Sequence, residues 1–496
     1  MAVAYAASDR DDFVTINIAD TKFDAKTGND HVLINRTGAL VFGNLGDDWL
    51  SANIHLIAYD ETVITTDLRG GLGDDQIYVS LSIANYDIGY DTAISANIEG
   101  GAGDDRIVVD LASSDAPLSA LINGGSGDDT ISVTFGYIEG GMGTLSEDLR
   151  IFGGAGNDTI TVDLYLSNSG FPELVIPIHG GAGDDTITSS LRASGNDGGD
   201  ATARIFGGAG DDVIRSVVEG APTGIGGTET NFARGGAGED RIEVITRGEN
   251  AFETMANDAR GGAGDDVLVA RATIAAYGDM SQATNTLFGD GGDDHLTARI
   301  DLGSVYGTSG INRLSGGAGD DVLLATIVKG DGWEEDVVAR SELKGGDGND
   351  RLTVRGGDGN ILWGNLGDDT LIGGSGADRL IGGQGADYLR GNGGADTFVF
   401  MSARGAGLDE RDQIADFRIG VDAIDVAAID ADAGRPGNQS FVFATEAGAG
   451  HLWLEDAADG DSSLLFADTG AGLLVVSLLD GAGVRAADYS AGDFIL

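Results

Sequence analysis

Apolar and polar residues alternate along most of this chain in short runs separated by glycine-rich breaks. Ile160, Val162, Leu164 and Leu166 alternate with Thr161, Asp163 and Tyr165, the period of a strand with one buried face. Ser167-Asn-Ser-Gly170 interrupts the run, and Leu174 to Ile178 resumes it before a turn at Gly180. The pattern predicts strand, loop, strand and tight turn, repeated. Pro177 departs from it, because proline cannot donate to a strand ladder. No apolar run reaches the roughly 18 residues of a membrane-spanning helix.

The tight turns share one hexapeptide. It reads Gly70-Gly-Leu-Gly-Asp-Asp75, Gly100-Gly-Ala-Gly-Asp-Asp105, Gly124-Gly-Ser-Gly-Asp-Asp129, Gly153-Gly-Ala-Gly-Asn-Asp158, Gly180-Gly-Ala-Gly-Asp-Asp185 and Gly207-Gly-Ala-Gly-Asp-Asp212, and it recurs from Gly235, Gly261, Gly289, Gly316 and Gly345. A weaker copy opens at Gly43, and a degenerate one, Gly28-Asn29-Asp30-His31-Val32, places the start of the array near residue 20. Two positions beyond the last Asp stands an aliphatic residue, as in Leu50, Ile77, Ile107, Ile131, Ile160, Ile187, Ile214, Ile242, Leu268, Leu296, Leu323 and Leu352. The unit is G-G-x-G-x-D-x-U-x, with U large and apolar.

Spacing divides the array. From Gly153 to Gly345 the copies start every 26 to 29 residues, whereas from Gly364 they start at 373, 382 and 391, a step of nine. One coil cannot bury its apolar face, but stacked coils can, at the spacing of parallel strands. The expected fold is an all-β, two-sheet solenoid with a column of glycine-aspartate turns on one edge and variable loops on the other. Where the step falls to nine, both edges become such turns. The expected divisions are 1–42, a start or cap; 43–355, long coils with one turn each; 356–400, a nonapeptide roll; and 401–496, a β-rich C-terminal module.

Composition sharpens this picture. Among 496 residues there are 84 Gly, 5 Pro and no Cys, which points to many turns needing positive φ and excludes disulfides and thiolate metal sites. The net charge is −52, which argues against nucleic acid or an anionic membrane as the main partner and for a cationic one. A 41% hydrophobic content supplies a core that a disordered acidic chain lacks.

The nonapeptide is the calcium-binding unit of the repeats-in-toxin (RTX) proteins, and the chain resembles that family over residues 28–400. The resemblance implies a right-handed parallel β-roll or β-solenoid in which each calcium ion sits between two turns stacked on one edge. Calcium takes six to eight hard oxygen ligands, which carboxylates and backbone carbonyls supply. The fifth position varies, as Asp104, Asn157, Glu239, Ala377, Ala386 and Ala395 show, while the sixth is constant. The expected acidic ligands are therefore Asp30, Asp48, Asp75, Asp105, Asp129, Asp158, Asp185, Asp212, Asp240, Asp266, Asp294, Asp321, Asp350, Asp369, Asp378, Asp387 and Asp396. The glycines expected to bend the backbone so that carbonyls converge include Gly71 and Gly73, Gly101 and Gly103, Gly125 and Gly127, Gly154 and Gly156, Gly181 and Gly183, Gly208 and Gly210, Gly374 and Gly376, and Gly383 and Gly385. About 15 pairs of stacked turns would take about 15 ions and offset roughly 30 charges. Without a cation, like charges stacked about 5 Å apart repel, so the metal-free array should stay open. Two copies depart: Gly356-Gly-Asp-Gly-Asn-Ile361 puts Ile at the ligand position and should close without its own carboxylate, and Gly140-Gly-Met-Gly143 lacks both acids.

Other chemistries find no motif. His31, His55, His179, His295 and His451 are isolated, and no zinc-protease, nucleophile-elbow or phosphate-loop pattern occurs. His31 and His295 read as strand starts, and Trp333-Glu-Glu-Asp336 as a solvated loop able to touch a glycan. The N-terminus lacks the basic region of a Sec signal. Asp412-Gln-Ile-Ala-Asp-Phe417 followed by Gly420-Val-Asp-Ala-Ile-Asp425 resembles the C-terminal module of serralysin-type secreted proteases, and Asp493-Phe-Ile-Leu496 resembles the tail of type I secretion substrates. Such a module also suits a cap on the last coil.

Together these features lead us to expect a secreted protein that folds on binding extracellular calcium, non-catalytic, with a structural, surface-layer or adhesive role. Its expected partners are calcium, the type I exporter in passing, and a cell-surface glycan or further copies of itself. The alternative is an extracellular lyase or epimerase acting on an acidic polysaccharide. It would need Lys, Arg or His converging beside carboxylates, and basic residues here are sparse and scattered.

Overall fold

The computed structural model describes residues 3–6, 8–58, 63–85, 93–113, 118–137, 148–167, 173–194, 200–220, 226–248, 252–275, 280–303, 307–330, 337–403, 411–432, 434–481 and 483–496. Gly140–Gly143, Trp333–Asp336 and the break at 168–170 lie outside them. The described residues are almost entirely strand and turn, with two short 3-10 segments at Ala486–Asp488 and Ala491–Asp493. They form two compact units, one of Met1–Ala263, Val269–Ala283 and Gly303–Thr308, the other of Gly264–Leu268, Thr284–Leu302 and Ser309–Leu496.

Each unit is a parallel β-solenoid. In the first, one coil consists of the strand Ala93–Ala102, a turn, and the strand Arg106–Ser113. Ala93–Ala102 pairs in parallel with Val63–Leu72 before it and Leu118–Ser126 after it. Arg106–Ser113 pairs likewise with Gln76–Asn85 and Thr130–Tyr137. Alternation does what the sequence pattern implies: Ile107, Val109 and Leu111 face inward and are fully buried, while Arg106 and Asp110 face out. The pairing carries no slip, so Leu50, Ile77, Ile107, Ile131, Ile160, Ile187, Ile214 and Ile242 stand in one column. A one-residue slip would turn every one of them to solvent.

The array begins earlier than residue 20. Val3–Ala6 pairs with Thr21–Asp24, and Phe13–Ile16 pairs with His31–Ile34. Asp12 therefore occupies the sixth position of a turn that has lost its glycines, which is why no motif marks it. Pro177 also behaves as its chemistry requires. Pairing between Asp148–Ala155 and Glu173–Ala182 covers only Ile151 to Ala155 against Ile178 to Ala182, and stops where the proline lacks an N–H.

In the second unit the aliphatic column runs Leu296, Leu323, Leu352, Leu371, Leu389, Ile414 and Leu478. The solenoid thus continues past the last glycine repeat into the C-terminal segment. There Leu473–Leu478 pairs in parallel with Asp412–Ile414 on one side and antiparallel with Ser463–Asp468 on the other, which in turn pairs antiparallel with His451–Asp456. The antiparallel meander ends the parallel stack. On the other sheet Ala423–Asp425 pairs with Phe494–Ile495.

Because apolar side chains of successive coils pack on one another within each unit, a cavity in one coil is felt by its neighbours. Ile122→Ala, at a fully buried position, should cost about 2–4 kcal/mol, read as a lower urea midpoint at unchanged slope with calcium present.

Candidate metal centre

The sixth-position aspartates form the floor of the turn edge. Asp30, Asp48, Asp75, Asp105, Asp129, Asp158, Asp185, Asp212, Asp240, Asp266, Asp294, Asp321, Asp350, Asp369, Asp378, Asp387 and Asp396 are each 2% exposed or less. Their two carboxylate oxygens have different fates. Oδ1 accepts the backbone N–H of the corresponding Asp one coil earlier: Asp48 N–H donates to Asp75, Asp75 to Asp105 and Asp105 to Asp129, at 2.7, 2.7 and 2.8 Å. In the first unit this chain of bonds starts with Asp12 donating to Asp30 and runs to Asp240. In the second it runs from Asp266 to Asp412. Oδ2, by contrast, is buried and without a hydrogen-bond partner in Asp30, Asp48, Asp75, Asp105, Asp129, Asp158, Asp185, Asp212, Asp294, Asp321, Asp350, Asp369, Asp387 and Asp396.

The glycines serve three purposes. A methyl built on first-position Gly100 would overlap Asp105 Oδ2 and lie 2.5 Å from the carbonyl oxygen of Gly124 in the next coil. The bare Cα therefore leaves room for an orphaned acid oxygen beside a carbonyl of the neighbouring turn. Second-position Gly101 and fourth-position Gly103 both have φ of 129°, where an L side chain is strained, and a methyl on either would strike the carbonyl of Gly71 or Gly73 one coil back. Gly71, Gly73, Gly125, Gly127, Gly154, Gly156, Gly181, Gly183, Gly208, Gly210, Gly383 and Gly385 share this positive φ. Where the second position is not glycine, Asn44, Asp290, Asn365 and Asn392 hold it at positive φ, as Lys26 does in the degenerate first copy; Asn and Asp are among the residue types that tolerate that region best.

The fifth position carries a second ladder of opposite direction. Asp74 N–H donates to Asp47 Oδ1, Asp104 to Asp74 and Asp128 to Asp104, at 3.0, 2.9 and 2.9 Å. Asn157 can replace Asp because its amide oxygen still accepts from Asp184 N–H at 2.8 Å. These side chains are exposed, which accounts for their variability.

From residue 356 onward a second column occupies the opposite edge, as the nine-residue step requires. It consists of Asn360, Asp378, Asp396 and Asp422, linked by Asn360 N–H to Asp378 at 3.2 Å, Asp378 to Asp396 at 2.9 Å and Asp396 to Asp422 at 3.0 Å. Beyond it Gly420 N–H donates to Asp493 Oδ1 at 2.7 Å. The copy at 356–361 closes without a carboxylate, but Ile361 is not at its ligand position: Ile361 pairs with Arg379 as the first residue of the next strand, and Asn360 takes the aspartate's place and gives its side-chain N–H to Asp378 Oδ1 at 2.7 Å. Gly374 and Gly376 differ from the other expected glycines, since neither has positive φ and Gly374 N–H donates to Asp378 Oδ2 at 2.5 Å. At the far end the Arg418 guanidinium lies 2.8 Å from Asp422 Oδ1 and 3.5 Å from Asp396 Oδ2, and also donates to the carbonyl of Gly394. There the chain supplies a cation of its own. Asp12, Asp412 and Asp422 were not among the expected site residues, and only their register with known copies identifies them; Asp493, one residue out of that register, is reached only through Gly420 N–H.

Among the described residues no three acids or histidines gather into one cluster. The carboxylates form ladders, so an ion between two turns would draw its remaining ligands from the glycine carbonyls beside each Oδ2. Hard oxygens in that arrangement fit calcium. The His31 ring, on the residue after Asp30, lies between Phe13 and Trp49 in tilted contacts, and His179 is stacked between Phe152 and Phe206. In the His179 stack the interplanar angles are 11° and 10°, so the rings cover one another's faces and offer only edges to solvent, a poor platform for a sugar.

Burial, opposed by the backbone hydrogen bond and reinforced by neighbouring acids, pushes the carboxyls of Asp48, Asp75, Asp105, Asp129 and Asp158 up to about 7. It pushes Asp369 up to about 8 and Asp185 and Asp350 to about 6. Between the ordinary carboxylate value and these raised ones, the ion-free folded chain binds more protons than the unfolded chain. Its stability is therefore greatest below about pH 4 and is lost as pH rises through about 7. In chelator, circular dichroism should show more β structure at about pH 5 than at about pH 8, and equal content at both would contradict the burial of these acids.

A family model described as Peptidase M10 serralysin C terminal matches residues 70–471. No curated protein matches the chain.

Proposed function

The chain belongs to the serralysin C-terminal family, with its RTX-type repeats, and on that premise we propose that it is a secreted protein whose solenoid folds when extracellular calcium fills the turn edge. The supporting observation is the column of buried aspartate oxygens without hydrogen-bond partners, with a glycine carbonyl of the next coil in the same space at Asp48, Asp75, Asp105, Asp129, Asp158, Asp185, Asp212, Asp294 and Asp369. The sixth-position aspartates are the charged ligands and the glycine carbonyls complete the shell. In the calcium-poor cytosol, repulsion keeps the chain open and fit for export by a type I machinery. Outside, calcium at about 10⁻⁴ to 10⁻³ M, the range of extracellular modules, lets the coils zip together. Asn360 and Arg418 supply donors at two steps of the opposite-edge column, so the ion count falls below the roughly 15 that pairs of turns alone suggest.

The role is structural or adhesive and non-catalytic, with the variable-loop edge facing a cell-surface glycan or another copy. The family match is to the C-terminal region of peptidases and not to their catalytic part, and no helix among the described residues is long and apolar enough to cross a membrane. Fractionating a culture with and without chelator, and following whether the protein moves from cells to medium, tests where it resides.

Circular dichroism with calcium and then with chelator tests the folding step: β content should rise sharply with calcium, and identical spectra would sink the proposal. Asp105→Asn keeps the hydrogen bond to Asp75 N–H but removes a charge. It should raise the calcium midpoint by about 2- to 10-fold and leave the fully loaded spectrum unchanged.

A further inference from the structure

The first unit buries a second pair of acids that the repeat does not explain, on the edge opposite its glycine-aspartate column. Glu229 and Glu253 are 1% and 2% exposed. Gly227 is in register with Glu253, so the two glutamates lie on adjacent strands two residues out of step, an even offset that puts both on the inward face. Their carboxylates converge at Gly220. A methyl there would lie 2.6 Å from Glu229 Oε1 and 3.2 Å from Glu253 Oε1. Gly248 stands in the same relation to Glu253, where a methyl would overlap Oε2 and lie 2.8 Å from Met255 Sδ.

Glu229 Oε2 is buried and has no hydrogen-bond partner. Among the described residues no basic group faces Glu229; the charges acting on it are those of Glu253 and Asp200, both acidic. The backbone around the pair is already satisfied: Gly220 N–H donates to Arg247 O at 2.8 Å, Ala275 N–H to Gly248 O at 2.9 Å, and Glu253 N–H to Ser281 Oγ at 3.0 Å. Burial and the Glu253 charge raise the Glu229 carboxyl to about 9. A buried carboxylate with only like charge for company is strongly destabilising unless a proton or a cation joins it.

The arrangement repeats the physical features of the turn edge with different residues: a buried acid oxygen lacking a partner, a glycine whose bare Cα makes room for it, and a second acid on the adjoining coil. We propose that Glu229 and Glu253 hold a hard divalent cation, calcium in the setting of this chain, at a site separate from the glycine-aspartate column. The two carboxylates are its charged ligands, and oxygen donors of this kind select calcium over softer metals. The site would tie the coils on either side of Gly220 together at the edge where the repeat supplies no turn of its own.

Crystals of the full chain prepared with terbium in place of calcium test this directly. The expected result is an anomalous peak between Glu229 and Glu253 in addition to peaks along the aspartate column. Column peaks without one at the glutamates overturn this site and leave the turn-edge proposal standing; a peak at the glutamates without column peaks does the reverse. Glu229→Gln should abolish that peak alone and lower the melting midpoint in saturating calcium by about 1–3 °C. A midpoint that rises or stays level in this variant would mean that the pair only shares a proton, and would overturn the proposal.

Discussion

The structure depends on one unequal pairing, a buried aspartate with one oxygen tied and the other left without a donor. Oδ1 accepts an N–H from the coil before, which fixes the position of each carboxylate along the stack. Oδ2 is left without a donor, at Asp75 and Asp105 in the same space as a glycine carbonyl of the coil after. Backbone pairing and apolar burial favour stacking, while acids repeated at strand spacing oppose it. The first two terms are built into the chain, whereas the third is relieved only by protons or cations. On the proposed function the fold is conditional, and the condition is electrostatic.

The glycines follow from the same geometry. In the long turn-edge column positions two and four need a backbone region that side chains avoid, and among the glycine-rich copies Asn and Asp are the substitutes at position two, with Lys26 in the degenerate first copy. The first position is different, because Gly100 is excluded from bearing a side chain by the carboxylate and carbonyl that crowd its Cα. A loss at the first position would push directly on the orphaned oxygen. A loss at the second or fourth would strain the turn and leave the carboxylate in place.

Much of this was legible in the sequence, because period, turn chemistry and repeat spacing all agree in Ile160–Leu166 and in the hexapeptide itself. The nine-residue step correctly implied turns on both edges. What escaped were features carried by register and not by composition. Asp12 lost its glycines, and Asp412 and Asp422 sit in a segment without the motif, yet each continues a ladder. The fifth-position ladder was hidden by its tolerance, although the replacement of Asp by Asn157 kept an acceptor and was the available signal. Buried Asn231 and Asn312 also interrupt the apolar alternation of their strands. Each gives its side-chain N–H to the carbonyl of a residue 14 positions on, Ile245 and Thr326, at 2.7 and 3.2 Å. Nothing in a single sequence distinguishes such an inward asparagine from an outward one.

The end of the second unit's opposite-edge column shows how the repulsion can be managed without an external ion. Asn360 places a neutral donor against Asp378, and Arg418 places a guanidinium between Asp396 and Asp422. A fixed side-chain cation costs the chain some conformational freedom but needs nothing from solution. Among the described residues, Oδ2 of Asp75, Asp105, Asp129, Asp158, Asp294 and Asp321 has no such donor, and these steps belong to the long part of the array. On the proposed function, a chain with an arginine at every turn would stack at any calcium level, and confining these substitutes to the margins would keep most of the solenoid responsive to the ion. The same reasoning fits the antiparallel meander at His451–Leu478, which carries no copy of the repeat turn: it closes the stack by strand pairing and apolar burial, and the carboxylates of Asp459 and Asp468 accept hydrogen bonds within their own local turns.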